Sequence, residues 1–153
     1  PSAKDIISLI DEKKNFEEAV FCGFGEPTLR LEVLKEVAVW LKEHKFKTRL
    51  NTNGHGNMIY KRNILKELAG LIDIISVSLN GENSLIYEKI CRPAIGNGVY
   101  EGVVKFASEA NKMGFETYFS VVTVPEIDIE KCRKIASNLK IPLKIRQYQK
   151  EGF

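Results

Sequence analysis

Residues 23 to 27 read Gly-Phe-Gly-Glu-Pro and set one carboxylate between a glycine and a proline, directly after the apolar stretch Ala19 to Cys22. At the carboxyl end of a parallel strand, where α/β proteins bind ligands, Gly23 and Gly25 would let the backbone approach a ligand. Glu26 would then aim its carboxylate at that ligand. A structural role is also open, because an acid just ahead of a helix favours the helix N-terminus. Similar positions recur at the ends of later apolar stretches: Asn51, Thr52 and Asn53; Ser78 and Asn80; Thr123; Arg146, Tyr148 and Gln149.

These are short hydrogen-bonding groups with one or two charges, suited to a polar, hydroxyl-rich ligand. Each has a structural alternative. Asn53-Gly54 is a common turn dipeptide. Ser78 and Asn80, two apart, share a face if the strand runs through both, yet Asn80 or Asn83 could simply cap the next helix. Arg146 and Tyr148 also share a face, which could be exposed edge-strand polarity. His44 suits a helix end, and His55 reads as a loop residue rather than a ligand. No nucleophile–His–acid set and no paired carboxylates can be assembled. Cys22, Cys91 and Cys132 are too scattered for a disulfide framework or a metal motif, so each is expected to be a small buried hydrophobe and no metal site is expected in the chain.

The elements that must position these groups alternate along the chain. Ile6, Ile7, Leu9 and Ile10 mark an opening helix capped by Ser2. Strands are expected at Ala19–Cys22, Thr48–Asn51, Asp73–Leu79, Glu116–Val122 and Leu143–Tyr148. Helices are expected over Leu31–Glu43, about Ile59–Leu71, a short stretch ending at Ile90, Val99–Met113 closed by Gly114, and from Asp128 through Leu139. The apolar run at 73–79 suits a sheet covered on both faces. Right-handed crossovers would lay five strands in one parallel sheet, either as a curved half-barrel or as a doubly wound sheet. A helix feeding the first strand looks like a repeat without its leading strand, and Ala19–Cys22 would then be an unprotected apolar edge.

The 153 residues are read as a single domain, with 44% hydrophobic and 28% charged content and a net charge of +3. The densest basic patch, Lys42, Lys45, Lys47 and Arg49, has no interleaved aromatic residues, so nucleic-acid binding is not expected. No leader-like or membrane-spanning apolar run is evident, and a cytoplasmic location with no membrane partner is the expectation.

Taken together, these segments resemble the radical S-adenosylmethionine (SAM) superfamily, whose core is a partial (β/α)6 barrel. Phe24-Gly25-Glu26-Pro27 resembles its Gly-Gly-Glu-Pro motif, with Phe24 in place of the first glycine. The strings Phe-Cys-Gly-Phe-Gly-Glu-Pro-Thr and Arg-Leu-Asn-Thr-Asn-Gly are most similar to the branch associated with TatD-family nucleases, and the likeness covers nearly the whole chain. The resemblance implies a parallel-stranded partial (β/α)6 barrel with five strands present and the first missing. It also implies a SAM site. Gly25 and Glu26 would meet the methionine amino group, Gly23 would bind the cofactor beside them, and Asn51 and Asn53 would lie near the methionine carboxylate or the open substrate side. Ser78 and Asn80 would reach the ribose, and Val122, Arg146 and Tyr148 the adenine end.

The superfamily's Cys-x3-Cys-x2-Cys motif, which holds a [4Fe–4S] cluster, is absent. The chain is therefore read as the later part of a radical SAM core, expected to be inactive alone. The complete protein is expected to cleave SAM reductively to a 5′-deoxyadenosyl radical that abstracts hydrogen from an unknown small-molecule or protein substrate. A functional link to a TatD-family nuclease is implied by the same resemblance. Two other readings stay open: a non-catalytic module binding SAM, a nucleoside or a partner, and a cluster-free half-barrel lyase or isomerase using Glu26 as general base.

Overall fold

Apolar residues at helical spacing build the outer layer. Leu31, Leu34, Val37, Ala38 and Leu41 are all buried along one stripe of α2 (Leu31–Glu43). The computed structural model describes residues 1–10, 16–23, 25–96 and 98–148. Phe24 of the glycine motif and Gln149 of the strand-tip set lie outside the described residues. Before α2 come α1 (Ala3–Ile7), closed by a reciprocal capping box between Ser2 and Asp5, and β1 (Glu18–Phe21). After it follow β2 (Lys47–Thr52), α3 (Gly56–Tyr60), α4 (Leu65–Leu68), β3 (Ile74–Ser78) and α5 (Ser84–Cys91). The chain then continues through α6 (Val99–Lys112), β4 (Glu116–Thr123), α7 (Ile129–Asn138) and β5 (Leu143–Gln147).

The five strands form one sheet in the order β1-β2-β3-β4-β5, every neighbouring pair parallel. A doubly wound sheet would reverse its strand order at a switch point. No reversal occurs, so the half-barrel alternative is the one observed. Leu50, Ile75, Val77, Phe119 and Val121 are fully buried in one cluster with side chains from α2, α4, α5, α6 and α7. Because side chains alternate along a strand, Arg49, Asn51, Ser76, Ser78, Tyr118, Ser120, Val122, Lys144 and Arg146 lie on the opposite face. The expectation that 73–79 is covered by helices on both faces is therefore corrected. Ser76 on the second face is buried, in register between Asn51 and Tyr118.

Two other expectations change. The helix expected over about 59–71 is split, because Lys61 takes a left-handed φ of 51° and ends α3. Asn57 and Asn63 then accept from the backbone N–H groups of Ile64 and Leu65, starting α4 by side-chain bonds. Asn83, not Asn80, caps α5. Among the described residues β1 pairs with β2 alone and keeps a free edge, as expected. Beside it Leu9 and Phe16 line an apolar groove while 85% and 53% exposed.

The basic patch is mostly neutralised. Lys42 bonds Asp73, Lys47 bonds Glu116 and Arg49 bonds Glu18. Asp73 also accepts from the Thr48 N–H at 2.8 Å and the Thr48 hydroxyl at 3.0 Å, while that hydroxyl donates to the Leu71 carbonyl. Burial would raise the Asp73 carboxyl, but the Lys42 and Thr48 bonds outweigh it and hold it below its ordinary value. This clamp fixes the register of β2 on β3, in which Asn51 faces Ser76. A slip of one residue would turn Asn51 to the helix side. Asp73→Ala should lower unfolding stability by about 1–2 kcal/mol in urea titration, since Lys42 and Asp73 remain about a third exposed and are partly screened. An unchanged midpoint would show that the clamp does not hold the strands.

Candidate functional site

The loop after β1 turns through Gly23 at φ 145° and Gly25 at φ 122°, backbone that other residues rarely adopt. A Cβ at either glycine would meet nothing within 4 Å, so conformation rather than crowding demands them. Pro27 then opens a 3-10 helix, Pro27–Arg30, for which Glu26 is the N-cap. One Glu26 oxygen, Oε1, accepts from the Thr28 N–H at 3.1 Å, the Thr28 hydroxyl at 2.7 Å and the Thr52 hydroxyl at 2.7 Å. Oε2 accepts from the Asn53 N–H at 2.7 Å. One side chain thus caps its own helix and ties the β1 loop to the tip of β2.

The Asn51-Thr52-Asn53-Gly54 string closes around that tie. The Thr52 hydroxyl accepts from the Gly54 N–H at 3.0 Å, and Asn53 Oδ1 accepts from the His55 N–H at 2.9 Å. Gly54 sits at φ 78°, and a Cβ there would press on Val77 Cγ1 at 3.1 Å. The side chain of Asn53 is therefore engaged in its own turn. That of Asn51 is not: its Oδ1 is buried and has no hydrogen-bond partner.

A cleft of about 480 Å³ opens at these strand tips, within the size range of small-molecule sites. It brings together seven of the residues expected at the cofactor, Gly23, Gly25, Glu26, Asn51, Asn53, Ser78 and Arg146, with Thr52 of the same strand-tip set, and adds Cys22. Three others lie outside its lining. Asn80 has a left-handed φ of 45°, which breaks the strand alternation with Ser78. Val122 pairs with Arg146 in register but does not line the cleft. Tyr148 is 58% exposed, with its N–H bonded to the Thr123 hydroxyl.

Cys22 is exposed at the strand tip and Cys91 is half-buried, so only Cys132 is the buried hydrophobe expected of all three. His55 is a loop residue, as expected, at the N-cap of α3, but it is buried. It is 7% exposed, and its Nε2 lies 2.7 Å from the buried Tyr87 hydroxyl. Burial pushes the His55 imidazole below its ordinary value, although the nearby Glu26 charge pulls the other way. His44 does sit at a helix end, its Nδ1 at 2.7 Å from the Trp40 carbonyl.

The sequence did not reveal the Glu26 bonds to Thr28 and Thr52. An acid directly before a proline, with threonine two residues on, is the capping signal that points to the first of them. With four donors on it, the Glu26 carboxylate has little capacity left for a general base, the role a cluster-free lyase would need. Glu26 lines the same cleft as Asn51.

A family model of the radical SAM superfamily matches residues 1–139 of the 153. No curated protein matches the chain. No helix among the described residues is long and apolar enough to cross a membrane.

Glu26→Ala removes four accepted bonds and leaves the Thr52 hydroxyl and Asn53 N–H unpaired. It should cost about 2–3 kcal/mol of unfolding stability, and Glu26→Gln, which keeps one acceptor oxygen, clearly less. Equal losses in the two variants would contradict the capping role. For His55 the unfolded chain takes up a proton near the ordinary histidine value, before the folded protein does. Stability should therefore fall as pH drops from about 6.5 towards 5, and His55→Gln should flatten that slope in urea titrations.

Proposed function

The chain belongs to the radical SAM superfamily, and from that premise we propose that its strand-tip cleft binds S-adenosylmethionine. Membership implies an enzyme, and the activity we assign to the complete protein is reductive cleavage of SAM to methionine and a 5′-deoxyadenosyl radical. The observation that carries this reading is the buried, unpartnered Asn51 Oδ1 beside the Glu26 carboxylate. A buried acceptor without a donor is costly, and an ammonium group is a donor with three hydrogens. The methionine end of SAM carries such an ammonium.

The rest of the donor set suits the rest of the molecule. Gly23 and Gly25 leave the cleft floor without side chains, so the backbone is open to the amino-acid portion. The Ser78 hydroxyl can meet a ribose hydroxyl. The side-chain amide of Asn53 remains tied to its own turn, so its part is to present the backbone N–H that holds Glu26.

A [4Fe–4S] cluster does not fit the described residues. Among them no group of three or more His, Cys, Asp and Glu side chains could hold a metal ion. The chain's own contribution is therefore to orient the cofactor and to keep its charged end paired in a cleft walled by protein on the Glu26 side.

Asn51→Leu should weaken SAM binding by the complete, anaerobically reconstituted protein about tenfold, with stability unchanged or raised because an unpaired buried group is removed. 5′-Deoxyadenosine release under dithionite, measured as a function of SAM concentration, reads this as a raised KM. Unaltered SAM dependence in Asn51→Leu would remove the cofactor assignment from this cleft.

A further inference from the structure

The sheet face without helices carries six charged side chains from its strands: Glu18, Lys47, Arg49, Glu116, Lys144 and Arg146. Its two carboxylates are taken. Glu18 pairs with Arg49 at 2.7 Å, and Glu116 with Lys47 at 3.2 Å. Lys144 and Arg146, two apart on β5 and so on one face, have no carboxylate partner among the described residues. A lysine that merely protects a sheet edge projects outward to water. Lys144, though exposed, instead lies over the neighbouring strand, its ammonium 3.5 Å from the centre of the Tyr118 ring.

The Tyr118 hydroxyl accepts from Arg49 at 2.9 Å, so two cations converge on one phenol. Burial would raise that phenol, but the bonds to Arg49 and Ser76 and the Arg49 and Lys144 charges outweigh it and hold it below its ordinary value. The surroundings thus favour negative charge. The Ser120 hydroxyl stands beside Lys144 in register, with Ser78 next to it on β3.

We propose that Lys144 and Arg146 form an oxyanion-recognition site on the uncovered sheet face, which takes a carboxylate or phosphate group of the substrate. An ammonium resting on an aromatic ring exchanges a weak contact for charge-assisted hydrogen bonds when an oxyanion arrives. Arg146 lines the strand-tip cleft while Lys144 lies deeper along the strand, so the pair would orient a substrate from the cleft into the face. Calling the anion a substrate group rests on the cofactor reading. The test contains no SAM, so the two fail separately.

The test is titration of the nitrogen-15-labelled chain with sodium malonate and, separately, with inorganic phosphate, at ionic strength held constant with sodium chloride. The Ser120, Lys144 and Arg146 amides should shift saturably, and the tighter of the two anions names the group. Lys144→Met and Arg146→Met should each weaken binding roughly two- to fivefold, the size of one exposed ion pair. Lys112→Met on α6, away from this face, should leave it unchanged. Both β5 side chains are exposed, so the variants keep the fold, which the dispersion of the same spectra checks. Shifts that stay linear with both anions, or equal affinity in wild type and both β5 variants, would overturn the proposal.

Discussion

The Glu26 carboxylate is the interaction on which the candidate site depends. It accepts four hydrogen bonds, two from Thr28 and one each from Thr52 and Asn53. An ionised carboxylate with partners of this kind gains more than a neutral acceptor would, and its loss leaves donors on two separate segments unpaired. The two glycines of the β1 loop give it conformational freedom. The carboxylate removes that freedom and thereby gives the cleft a defined wall.

The second constraint is the one-sided sheet. Helices bury Leu50, Ile75, Val77, Phe119 and Val121, so the alternating positions must form the other face. Among the described residues no helix covers that face, and most of its side chains are polar or charged. Asn51, Ser78 and Arg146 reach the cleft only because β2, β3, β4 and β5 keep their register. The Asp73 clamp at the opposite end of β2 and β3 is therefore part of the same arrangement, although it lies far along the strands from the cleft.

Much of this was legible in the sequence. Regular alternation of apolar runs gave the element order, and 3.6-residue spacing located α2 and α6 to within a residue. Strand-tip polarity picked out most of the cleft. The misreadings have physical causes. Periodicity did not reveal that Lys61 would adopt a left-handed conformation and split a helix, because the apolar pattern continues on both sides of it. The run at 73–79 reads as a doubly covered strand because Ile74 is apolar and buried on the helix-free face, where Ser76 and Ser78 follow it. Asn80 was grouped with Ser78 by alternation, which ends where φ turns positive. The Glu26 tie joins residues 26 and 53, and no local pattern encodes a contact across that separation.

The central claim is that one carboxylate builds the cleft while Asn51 keeps an acceptor free for the ligand. A crystal structure of the complete protein with S-adenosylmethionine tests this most directly. The SAM amino nitrogen is predicted within hydrogen-bond distance of Asn51 Oδ1, with the Glu26 bonds to Thr52 and Asn53 intact. A cofactor bound elsewhere, or a Glu26 side chain swung away from both partners, would contradict the account.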